Sequence, residues 1–257
     1  MEPHTKIEKG WIDAHCHLSV SASSGKLFDE ISAAKSENIL NFFESAFFEE
    51  HVEWNLSNSI VGKVWCAGIH PYVDKNKIIK IETIENLINN NLIIAIGEIG
   101  LDKRSSNNIK EQKKILLTQL DFAKEFDLPV VIHVVGTHYD LYRILKKNFP
   151  HIRGYIHGFI GKSEIVNLYK DFNLGFMIGG KITSFEKYHS TINYIIKNKM
   201  FLFETDTPYQ VPHYIDSEIN RLVNLKKIIE KTCSIARITE GIVYNAQIRN
   251  FNNMFLN

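Results

Sequence analysis

The chain has 257 residues, of which 44% are hydrophobic and 23% are charged, so it can form a globular protein with a sizeable core. The formal net charge of +1 excludes the strongly basic surface of a dedicated nucleic-acid coat protein, and a nucleic-acid substrate would need a local site. Three widely spaced cysteines cannot form a disulfide framework, which predicts a reducing, cytoplasmic location. The sequence predicts no signal peptide and no membrane span, and it does not indicate an oligomeric state.

Eight short apolar runs recur along the chain, separated by segments long enough for helices. Most runs are nearly continuous in apolar residues, which is typical of strands buried on both faces of a parallel sheet. Strands alternating with helices predict right-handed βαβ units, and eight units in this length predict a (β/α)8 TIM-type barrel. We expect one α/β barrel domain over residues 11–257 after an N-terminal extension over residues 1–10, with an open doubly wound sheet as the alternative. The runs span residues 11–17, 39–46, 63–70, 91–100, 129–135, 154–160, 174–180 and 200–206.

Two of the segments between the runs have helical periodicity. In the first, "NIKEQKKILLTQLDFAKEFDL", apolar residues recur with spacings of 7, 4 and 3, which places them on one helical face. Residues 215–232 have a similar pattern, and Asp216 or Ser217 is the expected N-cap of that helix. The recurring apolar residues of the first segment are Ile109, Leu116, Leu120 and Ala123.

Polar residues interrupt the apolar runs close to the point where each run ends. The carboxyl ends of barrel strands share one mouth, which is where barrel active sites lie. A closed barrel would therefore bring these side chains together, whereas an open sheet would leave the first and the last of them far apart. The residues are His15, His17, His70, Glu98, His133, His157, Glu204 and Asp206.

Each of these residues has an ordinary structural explanation when it is considered alone. His15 and His17 share a strand face and could be hydrogen-bonded core histidines. Glu98 lies in an apolar run and must pair with a cation, which could be a lysine or an arginine. Asp206 could form a turn before Pro208. Together, however, four histidines and two carboxylates at five strand ends predict a site for two divalent cations, either zinc, magnesium or manganese.

The two residues beside the first histidine pair are not expected to bind a cation directly. Cys16 lies between the histidines in sequence and should face the opposite side, toward the layer between barrel and helices. Asp13 should share the face of the histidines but lie deeper, where it would support a ligand instead of binding the cation itself.

The ordered series "DAHCHL", "GIHP", "GEIGLD", "LPVVIH", "HGF" and "ETDTP" resembles the TatD family of metal-dependent hydrolases, which belongs to the amidohydrolase-like barrel superfamily. The resemblance extends over about residues 11–212. It implies a pair of divalent cations and a metal-dependent deoxyribonuclease activity. The ligands that it implies are His15, His17, Glu98, His133, His157 and Asp206.

The sequence departs from this family around the expected substrate site. Val135 stands where the family commonly has an arginine, and Gly158 and Ile160 stand in a segment that often reads His-Cys-Phe-Ser-Gly. Residues 20–62 also match poorly. These departures keep open a hydrolase of a non-nucleic-acid ester, lactone or amide on the same barrel. The sequence lacks the Pro-Cys-x-x-Cys motif of a zinc deaminase, which argues against that class of enzyme. A non-catalytic scaffold would be expected to have lost some of the metal ligands, and all of them are present.

The expected roles follow from this ligand set. His15, His17 and Asp206 would bind one cation, and the later histidines the other, with Glu98 as a ligand to both. Asp206 would also be the general base for an attacking water, so that Glu98 and Asp206 are the predicted catalytic residues. The predicted substrate is DNA, single-stranded or with frayed ends. The predicted substrate contacts, each just beyond a strand, are His70, which could instead stabilise its turn, together with Arg104 and Lys181.

Overall fold

A computed structural model of the chain describes residues 7–72 and 78–256. The first six residues of the predicted N-terminal extension therefore lie outside the described part of the chain. Directly before the first strand, the backbone N–H of Glu8 donates to Asn41 Oδ1 at 2.7 Å, and its carbonyl accepts from Asn41 Nδ2 at 3.0 Å. These two contacts attach the end of the extension to the second strand.

Eight parallel strands form one sheet within the described residues, and each strand pairs with the next in chain order. The sheet closes where the first strand meets the segment after the eighth: Asp206 N–H donates to His15 O at 2.9 Å, and His17 N–H donates to Thr207 O at 2.8 Å. The predicted (β/α)8 barrel is confirmed, and the open sheet is excluded. The strands are β1 (Trp11–Cys16), β2 (Ile39–Ala46), β3 (Lys63–Ala67), β4 (Ile96–Asp102), β5 (Val130–Val135), β6 (Arg153–Ile156), β7 (Asn173–Ile178) and β8 (Phe201–Phe203).

Helices connect the strands and surround the barrel. Among the described residues, none of these helices is both long enough and apolar enough to cross a membrane. A 3-10 turn lies at Glu186–Tyr188, and a π-helical turn at Asn252–Leu256 follows the last helix. The α-helices are α1 (Leu18–Ser23), α2 (Leu27–Ser36), α3 (Glu49–Ser57), α4 (Ile81–Asn89), α5 (Ile109–Glu125), α6 (His138–Asn148), α7 (Ser163–Leu168), α8 (Gly180–Thr183), α9 (His189–Lys197), α10 (Asn224–Ala236) and α11 (Glu240–Phe251).

The helix predicted in the segment over residues 108–128 is confirmed as α5 (Ile109–Glu125), but the helix predicted over residues 215–232 starts later. It begins at Asn224, so Asp216 and Ser217 are not its N-caps. Residues before Asn224 are bound instead to the loop after β8, because Asn220 N–H donates to Pro208 O at 3.0 Å and Asn220 Nδ2 donates to Thr205 O at 2.6 Å. Tertiary hydrogen bonds therefore override a local helical pattern.

Alternation along the strands separates the core into two layers. Cys16 lies in the larger cluster between barrel and helices, as predicted. The N-terminal end of the barrel is closed by the end of the chain, where Phe251 and Phe255 pack edge-on against Phe43 with ring centroids 5.7 and 4.8 Å away. The barrel interior is filled by Ala95, directly before β4, and by the strand residues Ile12, Ala14, Phe43, Val64, Cys66, Val131, Tyr155, Met177 and Leu202.

The side chain of Asp13 does not share the face of the two histidines, and that prediction is wrong. Ile12 and Ala14 fill the barrel interior, so Asp13 between them points elsewhere. Its carboxylate accepts hydrogen bonds from Thr205 N–H at 2.9 Å and from Thr205 Oγ1 at 2.5 Å, which attaches β1 to the segment after β8. The pairing of β1 with β2 shifts in register between Asp13 and Cys16, which returns the later histidines to the inner face.

Candidate metal centre

The barrel brings the predicted ligands together at the carboxyl ends of its strands. The histidine pair comes from the end of β1, Glu98 and His133 come from within β4 and β5, and His157 and Asp206 follow β6 and β8. Within the described residues, three overlapping groups have donor atoms that all lie within 4.8 Å of one another. The groups are His15 with Glu98 and His157, His15 with His17 and Asp206, and His70 with Glu98 and His133.

The carboxylate of Glu98 lies at the centre of the cluster, with a different set of histidines at each oxygen. Its Oε1 is 2.5 Å from His157 Nε2 and 2.8 Å from His133 Nδ1. Its Oε2 is 3.3 Å from His15 Nε2 and 3.9 Å from His17 Nε2. Glu98 therefore faces both of the histidine sets that were predicted to bind separate cations.

Asp206 completes the set that is formed by the end of β1. Its Oδ1 is 3.1 Å from His17 Nε2 and 3.6 Å from His15 Nε2. The other ring nitrogen of His17 lies 3.0 Å from the carbonyl of Ser45 in β2. A histidine that donates from Nδ1 to a carbonyl presents a basic Nε2, which is the arrangement that a metal ligand requires.

The donor atoms of the cluster fit a divalent cation. His15 Nε2 is buried, and among the described residues it has no hydrogen-bond partner. A buried nitrogen without a partner costs free energy unless an ion or a donor lies beside it. Here the carboxylates of Glu98 and Asp206 lie 3.3 and 3.6 Å away, and their negative charge attracts a cation. Imidazole and carboxylate donors together are the ligands of zinc sites, and the carboxylates also suit manganese or magnesium.

Comparison with known proteins agrees with this geometry. The profile of the family described as TatD related DNase matches residues 12–256. The chain belongs to the TatD family. It is 25% identical over 253 residues to the uncharacterized metal-dependent hydrolase YjjV of Escherichia coli, covering 95% of this chain and 97% of that protein. The crystal structure of YjjV superimposes with a TM-score of 0.84 at 24% identity, over 95% and 97% of the two chains.

A human relative is named deoxyribonuclease TATDN3 and is 30% identical over 145 residues, which is 48% of this chain and 52% of that protein. This TatD chain is therefore a metal-dependent hydrolase by family. The metal-binding character agrees with the candidate clusters at its barrel mouth.

In this TatD protein, the pKa values of the candidate metal ligands are set by burial and by the close pairing of histidines with carboxylates. Burial lowers the pKa of the His15 imidazole to about 4. Burial also opposes protonation of His17, but the hydrogen bond and negative charge of Asp206 outweigh it and raise the pKa of His17 to about 9. The same contact holds the pKa of Asp206 at about 2 despite its burial. Protonated His17 thus supplies a positive charge that the carboxylates require, and a bound cation would displace its proton.

His70 lies closer to the cluster than a peripheral substrate contact would. Its Nε2 is 3.0 Å from Glu98 Oε1, and its Nδ1 accepts the backbone N–H of Tyr72 at 3.1 Å. Two residues separate it from the end of β3 at Ala67. It therefore contacts the cluster and stabilises its own turn, which was one of the two alternatives considered for it, and the contact to the substrate stays a prediction.

Sequence reasoning missed Asp102, the last residue of β4. Its Oδ2 lies 2.9 Å from His133 Nε2, and the guanidinium of Arg104 contacts both of its oxygens at 3.1 and 2.7 Å. The hydrogen bonds to His133 and Arg104 hold the pKa of Asp102 well below its usual range despite desolvation. An acidic residue that closes an apolar strand, as in "GEIGLD", is a signal that could have identified it.

Glu204 lies beside the cluster and does not belong to any of its three groups. Its Oε1 accepts the backbone N–H of Gly158 at 2.7 Å, and its Oε2 is 3.8 Å from His157 Nδ1. Burial raises the pKa of Glu204 well above its usual range. This carboxyl group supports the loop that carries His157.

The two basic residues predicted to contact substrate lie at the mouth, outside the cluster. Arg104 follows β4, and 59% of its side chain is exposed although its guanidinium pairs with Asp102. Lys181 lies in the first turn of α8, directly after β7.

Proposed function

We propose that this TatD protein is a deoxyribonuclease that hydrolyses phosphodiester bonds of DNA with two divalent cations. The supporting observation is the position of Glu98, whose two oxygens face two different histidine sets 2.5–3.9 Å away. We propose His15, His17 and Asp206 as ligands of one cation, His133 and His157 as ligands of the other, and Glu98 as a ligand of both. The deoxyribonuclease name of the human relative supports DNA as the substrate.

The residues of the site have different roles in the proposed hydrolysis. Cations bound here would supply Lewis-acid polarisation of the phosphodiester and an acidified water. The carboxylate of Asp206 accepts the proton of the attacking water, because its pKa is held low enough for it to be ionised. Glu98 is buried among histidines and keeps both sets at a fixed separation, so that the reacting groups are aligned before the substrate enters.

Exposed rings and cations at the mouth favour a single-stranded substrate. The ring of Tyr209 lies 5.4 Å from that of His17 and is about half exposed. The ring of Tyr72 is also exposed, and the guanidinium of Arg104 lies 6.0 Å from its centroid. Unpaired bases stack on such rings, whereas paired bases cannot reach them. We propose Arg104 and Lys181 as phosphate contacts, and His70 as a contact to the substrate from within the cluster.

The cysteines support a cytoplasmic location within this proposal. All three cysteines, Cys16, Cys66 and Cys233, are free and buried. A chain that keeps its thiols reduced fits a reducing compartment.

The proposal is tested with a substrate panel on metal-replete protein. Single-stranded DNA, duplex DNA, a nitrophenyl phosphodiester and a lactone are compared after the bound metal has been measured. We expect cleavage of single-stranded DNA to be fastest, and His133→Ala to lose bound metal and activity together. The matched control is His151→Ala, which removes an exposed histidine from the surface. Full metal content and full activity in His133→Ala would refute the two-cation site.

Hydrolysis of a lactone, ester or amide is the alternative outcome of this panel. Val135, in place of the family's common arginine, supports that alternative, because it follows His133 by two residues on the same strand face and adds no charge to the mouth. Turnover of the lactone with no cleavage of DNA would replace the deoxyribonuclease assignment with this one.

A further inference from the structure

We infer that Gln210 is a positioning residue for Asp206, and that the missing side chain at Gly158 provides the space that Gln210 occupies. The inference rests on the proposed function, since it concerns the carboxylate that we propose as ligand and base. Neither residue belongs to the three groups of candidate ligands.

The amide of Gln210 contacts one oxygen of Asp206, and the histidines contact the other. Gln210 Nε2 donates a hydrogen bond to Asp206 Oδ2. The other oxygen, Oδ1, faces His17 Nε2 at 3.1 Å and His15 Nε2 at 3.6 Å. One carboxylate oxygen therefore faces the cluster while the other is fixed by an amide. A hydrogen bond to one oxygen leaves that oxygen a further lone pair for the proton of a water.

Gly158 directly follows the proposed ligand His157 and contacts the end of the Gln210 side chain. Its backbone has a left-handed φ of +56°, a conformation that favours glycine. A Cβ atom at this position would lie 2.9 Å from Gln210 Nε2, closer than such atoms approach without a shift. The family often has cysteine here, so this chain differs at the point where its glutamine approaches Asp206.

The backbone of Gln210 is fixed in the position that this contact requires. Its φ is +52°, which is uncommon for a residue with a side chain. Its carbonyl accepts from the buried Asn220 Nδ2 at 3.4 Å, and a Cβ atom at Gly180 would lie 3.0 Å from that carbonyl. Asn220 and Gly180 therefore restrict the backbone of Gln210 from two sides, and this limits where its side-chain amide can lie.

Two measured quantities, the affinity for Zn²⁺ and the turnover number, should change if Gln210 positions Asp206. Gln210→Met keeps the length of the side chain and removes its N–H donors, so Asp206 loses the hydrogen bond to its Oδ2. We expect the affinity of the protein for Zn²⁺, measured by competition with a chromogenic chelator, to fall about tenfold, in the range for a hydrogen bond to a charged group. Turnover number on single-stranded DNA should fall by a similar factor with KM unchanged, because a positioning residue acts on the reaction and not on substrate binding.

A double-mutant cycle tests the part played by Gly158. Gly158→Ala should displace the Gln210 amide and weaken Zn²⁺ binding about as much as Gln210→Met does. In a Gln210→Ala background no amide remains to be displaced, so Gly158→Ala should then have little further effect on Zn²⁺ affinity. Gly25→Ala is the matched control, since Gly25 also has a left-handed φ, +72°, but an added Cβ atom meets nothing within 4 Å.

The outcomes separate this inference from the proposed function. Zn²⁺ binding without DNA cleavage in the wild type would refute the deoxyribonuclease assignment and leave the Zn²⁺ measurements to decide the role of Gln210. A folded Gln210→Met protein that binds Zn²⁺ as tightly as the wild type would refute the inference alone. So would a Gly158→Ala substitution that weakens Zn²⁺ binding equally in the wild-type and Gln210→Ala backgrounds. A wild-type protein that binds no divalent cation would refute both. Asp206→Asn is the reference for complete loss of the carboxylate.

Discussion

Asp102 illustrates at the level of one residue how a ligand is oriented. Its Oδ2 contacts His133 Nε2 at 2.9 Å, which leaves His133 Nδ1 facing Glu98. A carboxylate behind a ligating histidine fixes the ring and raises its basicity, and its loss typically costs 10–100-fold in metal affinity. We expect this range for Asp102→Asn in a chelator competition assay. The surface variant Asp140→Asn, which breaks the ion pair with Lys113, should leave metal affinity unchanged. Equal affinities in both variants would exclude this role for Asp102.

His138 gives a pH dependence that is separate from the metal centre. Its Nδ1 lies 3.2 Å from the hydroxyl of Tyr169, and burial lowers its pKa from 6.5 to about 4. Between these two values the unfolded chain binds more protons than the folded chain, so this residue makes the protein less stable as pH falls from 6.5 to 4 and has no such effect above 6.5.

The His138→Gln variant isolates this contribution. The difference in unfolding free energy between wild type and variant, measured by chemical denaturation, should move in favour of the variant by on the order of 2 kcal/mol between pH 7 and pH 4. A difference that stays constant with pH would show that His138 is not buried in its neutral form.

At the level of secondary structure, the strands were predictable because their residues are almost all apolar. The run at 39–46 is β2 without any correction, and the run at 63–70 contains β3 as Lys63–Ala67. Only the strand bounds differ: the last residues of some runs, such as His70, leave the ladder and line the mouth, whereas β4 begins after the start of its run and ends two residues beyond it, at Asp102. The clustering of the ligands was predictable for the same reason, since the carboxyl ends of barrel strands meet.

Features that depend on contacts distant in sequence could not be predicted. Alternation placed Asp13 with the histidines, but a register shift between Asp13 and Cys16, which leaves no mark in the sequence, puts the histidines on the inner face while Asp13 contacts Thr205. Helical periodicity over residues 215–232 predicted a helix start that hydrogen bonds to the loop after β8 override. The partner of Asp13 lies about 190 residues away in the sequence, and the partners of Asn220 lie in an irregular loop. Local sequence patterns do not indicate contacts of either kind.

Asn220 is expected to stabilise the whole loop between β8 and α10. It is almost fully buried, and its side chain donates to Thr205 O at 2.6 Å and accepts from Asn224 Nδ2 at 2.9 Å. Asn220→Ala leaves these buried groups without partners, which costs about 2–3 kcal/mol in unfolding free energy. Metal affinity should also fall, because the same loop carries Asp206. Asn198→Ala, which removes an exposed asparagine, should change stability by less than about 0.5 kcal/mol. A stable Asn220→Ala protein would contradict this account.

At the level of the whole molecule, the residues that close and stabilise the barrel lie at one end, and the candidate metal ligands lie at the other. The candidate ligands lie at the carboxyl ends of the strands, whereas the amino ends are closed by the C-terminal helix and its π-helical turn. Arg153 at the start of β6 donates to Met254 O at 2.7 Å, so a strand end and the chain end are joined directly.

Phe251 tests this separation. It is the last residue of α11 and is fully buried against the barrel interior, in edge-on contact with Phe43. Truncating a buried phenylalanine to alanine removes apolar contacts and leaves a cavity, so Phe251→Ala should lose about 3–5 kcal/mol of unfolding free energy. Zn²⁺ affinity of the folded variant should be unchanged, because barrel residues at the amino ends of strands serve stability. Phe28→Ala, at a position that is 83% exposed, is the control and should alter neither quantity. Weakened Zn²⁺ binding in folded Phe251→Ala would show instead that the two ends of the barrel are coupled.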